Sequence, residues 1–434
     1  MSDSLSLDNW LEAARSRSAL VARPVSLSEC ETWAVSDGAI RHDTGGFFAV
    51  RNVASIPQQA EIGSPRVMID QQEIGWLGFC VRRRNDGMWD WLLHAKTEPG
   101  SIDGTQIGPT LQATRSNYRR LHGGKPSPYI RIFRDRSSII SDGPHSEQGD
   151  RFLWKFNRNL VALAPRETEP EDHRWRWSSA KELRLALGRP FQVNTDARSV
   201  FATAPWFLLS GDGPLFTAPV LQRSYSRLRV ARHSARRRPP ALRMHDRMEW
   251  RFEDIGDLAG WEPDGRGISA TPSGYGVRFF DVRAADREVS RWCQPLMTQD
   301  REKEIVLLMR VRDGAAQFLV RPAHELGHGN RMEFSASAGP GETELDALRD
   351  CDPQEIISLR QSDEGGRFFE CICRYSVQLL HGEDATPALG RNGRWLFLAD
   401  LARLAAAPCT TTNELRTLVS LLLSEQFDTK MREI

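Results

Sequence analysis

The sequence predicts an α+β protein (an α/β sandwich) of two tandem domains that arose by internal duplication, and three observations predict it. The chain has 434 residues, which exceeds one ordinary hydrophobic core and suits two domains of about 200 residues. Four blocks of sequence occur twice in the same order, as expected of a repeated unit. Each repeat contains β-hairpin patterns followed by helical patterns, which indicates α+β domains rather than a helical bundle.

The repeated blocks place the domain boundaries. The first block reads EIGWLGFCVRRRNDGMWDWLLHAKTEPG from Glu73 and EIVLLMRVRDGAAQFLVRPAHELG from Glu304. The second reads SEQGDRFLWKFNRNLV from Ser146 and SDEGGRFFECICRYSV from Ser362. The last two, WSSAKELRLAL and VNTDARSV, are echoed by WLFLADLARLA and TTNELRTL. We therefore expect domains at residues 1–220 and 247–434, joined by a basic linker at 221–246.

Turn and capping signals define elements inside each repeat. Asp86-Gly87 stands between two apolar runs, which is a strong hairpin signal. SSAKELRLAL, from Ser178, has a serine before leucines at helical spacing, and TTNELRTLVSLLLSEQF, from Thr411, has the same pattern. Both segments predict a capped helix.

Composition limits the partners and the compartment. Lysine and arginine number 58, and aspartate and glutamate number 57, so bulk charge favours neither nucleic acid nor an anionic membrane as partner. The seven cysteines are odd in number and scattered, which is typical of a reducing compartment. The sequence contains neither a signal-peptide pattern nor a run of the ~20 apolar residues that span a bilayer. We expect a cytoplasmic protein.

The segment from Lys96 to Tyr129 is the most polar and the least periodic in the chain. Its polar groups are costly to bury without partners, which is typical of a ligand-lining loop. The second repeat replaces it with ASAGPGETELDALRD, which has no equivalent of Gln112, Arg115, Asn117 or Tyr118. This asymmetry predicts one intact pocket in the first repeat and one degenerate pocket in the second. An ordinary surface loop is the alternative.

A second polar cluster lies in SEQGDRFLWKFNRN. Asn157 and Asn159 alternate along a predicted strand and share one face, with Arg158 on the other. Two amides suit a pyrimidine edge or sugar hydroxyls, and an arginine suits a phosphate. The candidate substrate-binding residues of this cluster are Glu147, Gln148, Arg151, Asn157, Arg158 and Asn159. A solvent-facing strand is the alternative.

Two further candidates, Asp196 and Arg198, lie in VNTDARSV. They are candidates for substrate binding, with a structural ion pair as the alternative, because the second repeat keeps Glu414 and Arg416 at these positions.

Metal chemistry is not expected. His324 and His328 match the H-E-x-x-H pattern of zinc proteases, which needs both histidines on one helical turn. Pro322, Gly327 and Gly329 make a helix unfavourable there. Cys371 and Cys373 are two residues apart, but the sequence has no second pair of cysteines to complete a zinc site.

Taken together, these motifs resemble the NDP-hexose 2,3-dehydratase family of deoxysugar biosynthesis. The motifs that carry the resemblance are AKTEPG, PTLQATRSNY, HGGKP, SEQGDRFLWKFNRN and VNTDARSV in the first repeat, and REVSRWCQPL, SDEGGRFF and the RY of CRYSV in the second. The chain departs from the family at Phe156, where a basic residue is usual, and in the second repeat, which lacks the E-P-G proline.

The resemblance implies two Nudix-like repeats, a homodimer, and one working pocket per subunit. The implied substrate is a dTDP-linked 4-keto-6-deoxyhexose, which loses its C2 hydroxyl without a metal or redox cofactor. Proton transfer would fall to Lys96, Glu98 and Tyr118, enolate stabilisation to Arg115 and Asn117, and substrate contacts to Gln112 and Ser116. One alternative is a homologue that binds a dTDP-sugar without turnover. The other is a Nudix-type magnesium hydrolase, which the absence of carboxylates from Gly104 to Arg134 disfavours.

Overall fold

Mixed β-sheets and short helices make up the protein, which confirms the predicted α+β class. The computed structural model describes residues 6–56, 65–114, 127–227, 249–262, 265–284, 289–329, 331–339, 345–346, 348, 351–381 and 393–434. None of the helices in these ranges is long and apolar enough to cross a bilayer.

The strands are numbered in chain order. Those before residue 227 are β1 (Val21–Val25), β2 (Trp33–Ser36), β3 (Ala39–His42), β4 (Ala49–Ile56), β5 (Arg66–Asp70), β6 (Gly75–Arg83), β7 (Trp89–Thr97), β8 (Thr105–Gly108), β9 (Leu111–Ala113), β10 (Ile139–Ser146), β11 (Phe152–Leu153), β12 (Phe156–Leu163) and β13 (Trp175–Ser179). Those after residue 248 are β14 (Glu249–Glu253), β15 (Gly267–Ile268), β16 (Tyr275–Arg283), β17 (Arg291–Gln299), β18 (Lys303–Arg312), β19 (Ala315–His324), β20 (Met332–Ser335), β21 (Gln354–Ser362), β22 (Ile372–Leu379) and β23 (Arg394–Phe397).

The helices follow the predicted capping signals. They are α1 (Leu7–Arg17), α2 (Ile130–Arg134), α3 (Ala180–Leu187), α4 (Thr195–Thr203), α5 (Pro219–Ser226), α6 (Leu398–Ala406), α7 (Asn413–Leu422) and α8 (Glu425–Lys430). Ser179 caps α3 in a capping box with Glu182. The single helix predicted from Thr411 is divided into α7 and α8, because the Ser424 hydroxyl accepts the backbone N–H of Phe427 and starts a new helix.

Each half of the chain builds a main sheet with the same strand order. The first is β10-β12-β6-β7-β13, and the second is β21-β22-β18-β19-β23. In both, the only parallel pair of the main path joins corresponding strands, β12 with β6 and β22 with β18. The predicted turn at Asp86-Gly87 joins β6 to β7, and Gly87 has a φ of 83° there, which glycine adopts at no steric cost.

The two halves also exchange strands. β1 pairs with β16 of the second half, and β14 pairs with β4 of the first half. A single apolar core contains buried side chains from both halves, such as Phe79, Phe201, Phe318 and Phe427. The domain boundaries at 1–220 and 247–434 therefore stay a prediction about the repeat, while the folded halves are interlocked.

Reciprocal backbone contacts dock the halves. The N–H of Gly100, in the turn after β7, donates to the carbonyl of Gly365 over 2.8 Å. The equivalent N–H of Gly327, after β19, donates to the carbonyl of Gly149 over 2.6 Å. A Cβ at Gly327 would overlap the carbonyl oxygen of Phe152. We call these two contacts the reciprocal turn contacts.

Two buried arginines connect the central helices α4 and α7, which pack together. Arg198 of α4 donates to the Ser420 hydroxyl of α7 over 3.0 Å and to the Leu187 carbonyl over 2.9 Å. Arg416 of α7 donates to the Ser199 hydroxyl of α4 over 2.8 Å. Each arginine therefore satisfies backbone and hydroxyl oxygens at the interface, as a buried charge requires.

We predict that Gly327→Ala destabilises the fold by at least about 1–3 kcal/mol, because the added methyl group has no room beside the Phe152 carbonyl. Gly213→Ala is the control, since the nearest atom to its Cβ, the Ser210 carbonyl oxygen, lies 3.7 Å away. Urea unfolding of both variants measures the difference. Equal stabilities would show that the reciprocal turn contacts contribute little.

Candidate active site

The turn that follows β7 places an ion pair at the end of the first main sheet. Lys96 lies near the end of β7, and its Nζ is 2.7 Å from Oε1 of Glu98. The backbone N–H of Glu98 donates to the carbonyl of Gly104 and closes the turn. The Glu98 side chain is only 5 % exposed, and an adjacent ammonium favours its ionised form.

Strand β9 and the start of α4 complete one side of this site. Gln112 of β9 donates from Nε2 to the Glu98 carboxylate over 3.4 Å. Its own carbonyl oxygen accepts from Asn194, whose Oδ1 caps α4 through the N–H of Ala197. Gln112 and Asn194 thus orient the Glu98 carboxylate relative to the helix.

Asp196, in the first turn of α4, faces the same charges. It is 4 % exposed. Burial raises the pKa of Asp196 well above its usual value, and Glu147, Glu364 and Glu98 raise it further, whereas Lys96 opposes them.

Glu364 comes from the second half of the chain and was not among the predicted site residues. It lies in the S-D-E-G-G loop, which the contact between Gly100 and Gly365 holds against the turn that carries Glu98. Burial and the Glu98 carboxyl, with which Glu364 shares a hydrogen bond, raise the pKa of Glu364 to about 7, whereas Arg367 and Lys96 oppose the rise. Its only signal in the sequence is the acid at the position where the first repeat has Gln148.

The predicted cluster around Glu147 lies beneath this site and is satisfied within the protein. Glu147 accepts from Asn157 Nδ2 over 2.7 Å and from Asn413 Nδ2 over 2.8 Å. Asn157 Oδ1 accepts the N–H of Gly75. Burial raises the pKa of Glu147. The Asn157 amide therefore joins strands rather than facing an open pocket.

Asn159 and Arg158 occupy opposite faces of β12, as the alternation predicts. Asn159 Nδ2 donates to the hydroxyls of Ser199 and Thr203 and so ties α4 to the sheet. Arg158 pairs with Asp142 on the outer face and is 38 % exposed. The structure does not bring Arg158 to the group around Glu98.

Arg151 and Gln148 lie in the interface between the halves. Arg151, 2 % exposed, pairs with Asp363 and, at 3.0 Å, with Glu414. Gln148 Nε2 donates to Asp363 over 3.2 Å. Arg198 does not pair with Asp196, because its guanidinium donates to Val193, Gln361, Leu187 and Ser420.

Four predicted residues fall in the segment that follows β9. Arg115, Ser116, Asn117 and Tyr118 lie outside the described residues. Thr114 is the last described residue before them, and Gln112, two positions earlier, contacts Glu98.

A second site is formed by the equivalent turn of the second half and the first-half loop that it contacts, and it carries different residues. Ala323 occupies the position of Lys96. It pairs with Glu333 between β19 and β20, as Lys96 pairs with Gln106 between β7 and β8. Glu325 replaces Glu98, and Glu414 replaces Asp196. Gln148 replaces Glu364. The lysine and the acid corresponding to Glu364 are thus specific to the first site.

The H-E-x-x-H segment does not have the geometry of a zinc protease. His324 ends β19, and His328 lies in a 3-10 turn. The ring nitrogen Nε2 of each histidine hydrogen-bonds a backbone carbonyl, that of Gly329 for His324 and that of Glu147 for His328. The two side chains are therefore fixed by the backbone rather than aligned on one helical turn.

Three carboxylates in the second site do approach one another. Asp150, Glu325 and Glu414 each place an oxygen within 4.8 Å of the others, as metal ligands would. Arg151 pairs with Asp150 and with Glu414 at 3.0 Å in both cases. The guanidinium therefore supplies positive charge to this group.

Comparison with known proteins identifies relatives along most of the chain. A family model described as NDP-hexose 2,3-dehydratase matches residues 5–204 and 241–422. A dTDP-4-dehydro-6-deoxy-alpha-D-glucopyranose 2,3-dehydratase of Streptomyces violaceoruber is 28% identical over 421 residues, 91% of each chain. Proteins of the same name from Saccharopolyspora spinosa and Amycolatopsis orientalis are 28% and 26% identical, over 88% and 95% of this chain and 83% and 88% of theirs.

We predict that Arg151→Met lowers the free energy of unfolding by about 3–5 kcal/mol, because it leaves the buried Asp363 and Glu414 without their counter-charge. Arg158→Met, on β12, should lower the free energy of unfolding by less than about 1 kcal/mol, since its ion pair is exposed. Denaturant unfolding measures both. An Arg151 variant that keeps full stability and loses only dTDP affinity would instead assign this arginine to phosphate binding.

Proposed function

The chain belongs to the NDP-hexose 2,3-dehydratase family. We propose that it eliminates the C2 hydroxyl of a dTDP-linked 4-keto-6-deoxyhexose to give a 3,4-diketo-2,6-dideoxyhexose. The names of the three relatives support this substrate. Their match over most of this chain supports transferring the reaction as a whole.

The chemistry of this elimination defines the groups that are required. The C4 ketone acidifies the C3 hydrogen, so a base removes that proton and the electron pair enters an enolate. The C2–O bond then breaks with help from an acid, and the resulting enol tautomerises to the diketone. Each proton transfer contributes about 10²- to 10⁴-fold in rate, and donors to the enolate oxygen contribute a similar factor.

The observation that carries the proposal is the Lys96–Glu98 ion pair beside Asp196. The Lys96 ammonium lies 2.7 Å from the Glu98 carboxylate, a group that can accept the C3 proton. The second half has Ala323 in place of the lysine. We therefore place the reaction in the first half, with Glu98 as the base and Lys96 as its partner.

The substrate contacts are proposed on the same grounds. Gln112 and Asp196 border Glu98 and are assigned to the sugar hydroxyls. The roles proposed from the sequence are kept for four further residues, which are Ser116 in substrate contact, Arg115 and Asn117 in enolate stabilisation, and Tyr118 in proton transfer. The other buried candidates are assigned to supporting the site through contacts inside the protein, and they are Glu147, Gln148, Arg151, Asn157, Asn159 and Arg198. Arg158 is the exposed candidate for binding a phosphate.

Further features are proposed from the family resemblance. They are a Nudix-like fold in each half, a homodimer, a cytoplasmic location and a role in making deoxysugars for natural products. The same connectivity of the two main sheets supports the duplicated fold.

Incubation of the purified protein with dTDP-4-keto-6-deoxyglucose, followed by mass spectrometry, tests the reaction. Loss of one water from the sugar nucleotide is expected. Binding of the nucleotide sugar without loss of water would make the protein a binding homologue.

We predict that Lys96→Ala lowers turnover by at least about tenfold, because Glu98 loses its paired ammonium. Lys181→Ala, an exposed lysine on α3, is the control and should retain wild-type turnover. Circular dichroism establishes that both variants are folded. Wild-type turnover in Lys96→Ala would move the chemistry away from this turn.

Turnover should also survive treatment with EDTA. The segment from Gly104 to Arg134 contains no carboxylate to hold magnesium, and His324 and His328 are held by backbone carbonyls. The assay compares EDTA-treated and untreated enzyme. Inactivation that Zn²⁺ or Mg²⁺ reverses would contradict this prediction.

A further inference from the structure

Glu364 and Glu98 come from different halves of the chain and meet at the first site. Gly365 follows Glu364, and its carbonyl accepts the N–H of Gly100 over 2.8 Å. A Cβ at Gly365 would lie 3.0 Å from the Cβ of Glu98 and closer still to Ser101. The turn after β7 and the loop that carries Glu364 therefore approach as closely as glycine permits. The Glu364 side chain shares a hydrogen bond with the Glu98 carboxyl.

Two carboxyls that share a hydrogen bond hold one proton between them. The Lys96 ammonium lies beside Glu98, so Glu98 is the partner favoured as the anion. The backbone N–H of Gly366 donates to Glu364 Oε1 over 3.2 Å, which leaves the other oxygen of Glu364 to carry the proton. The pair therefore contains one base and one acid in direct contact.

The second site provides an internal comparison. It keeps carboxylates of the second half at the positions of Glu98 and Asp196, namely Glu325 and Glu414, but the first-half loop that completes it has Gln148 where Glu364 stands. An amide has no titratable proton at neutral pH. Glu414 keeps an acid at the position of Asp196. The second site instead differs by Gln148 in place of Glu364 and by Ala323 in place of Lys96, so these two positions distinguish it from the first site.

We infer that Glu364, supplied by the second half, is the general acid that protonates the departing C2 hydroxyl. The hydrogen bond between the two carboxyls then carries the proton that Glu98 abstracted back to Glu364. The inference rests on the proposed function. Glu98 takes the proton from C3 as the enolate forms. Glu364 gives its proton to the C2 oxygen as the C2–O bond breaks, and water leaves. The proton on Glu98 then passes to Glu364, so both groups regain their starting forms and no co-reactant is consumed.

The pH dependence follows from the groups around Glu364. Glu98 and Asp196 are negative neighbours, and Lys96, Arg367 and Lys155 are positive ones. Burial and Glu98 raise the pKa of Glu364 to about 7. The acid form is therefore present below about pH 7, and turnover should fall as the pH rises through that value.

The test uses Glu364→Gln and Glu364→Asp in the full-length enzyme, with Glu325→Gln as the matched control in the second site. Glu364→Gln should lower kcat by about 10²-fold or more and lose the decline of turnover above pH 7, and Glu364→Asp should restore part of both. In D₂O, Glu364→Gln should still exchange the C3 hydrogen of the substrate for deuterium, because Glu98 remains. Glu325→Gln should keep wild-type turnover.

The outcomes separate the inference from the proposed function. A wild-type enzyme that removes no water would overturn both. If the wild type dehydrates the substrate and Glu364→Gln keeps the same kcat and pH profile, the inference alone is wrong. Loss of C3 exchange together with turnover in a folded Glu364→Gln would also overturn it, since an acid at C2 is not needed for enolate formation.

Discussion

The architecture of this protein depends on backbone contacts in which each half inserts a glycine turn into a loop of the other. Gly100 and Gly327 donate to the carbonyls of Gly365 and Gly149, and neither turn has room for a side chain. The loops that receive these turns are those that carry Glu364 and Gln148. The same contacts that join the halves therefore determine which side chains enter each site.

Three buried arginines lie at the interface between the halves. Arg151 lies between carboxylates of both halves, and Arg198 and Arg416 donate to oxygens across the α4–α7 interface. A buried guanidinium is tolerated only when its donors are satisfied. Arg151 therefore bridges the two halves, whereas Asn157 links Glu147 to the start of β6 within the first half.

The two sites show how a duplicated fold separates chemistry from structure. Both retain the glycine turn and a carboxylate two residues before the glycine, Glu98 in one site and Glu325 in the other. Only the first has a lysine on the preceding strand, paired with Glu98 at 2.7 Å. Carboxylates that face one another without water raise one another's pKa, and a neighbouring ammonium opposes that effect. Few substitutions on a common backbone therefore give the two sites different electrostatic surroundings.

The sequence by itself determined the fold class, the repeat and the local elements, because turns, caps and alternation depend on neighbouring residues. It also identified Lys96, Glu98 and Gln112 as site candidates, which the structure brings together. Only the tertiary structure decided that α7 ends before Ser424, that Arg151 is enclosed by carboxylates, and that Glu364 meets Glu98. The last two arise from contacts between residues more than 200 positions apart, and such contacts depend on how the halves dock rather than on any pattern along the chain.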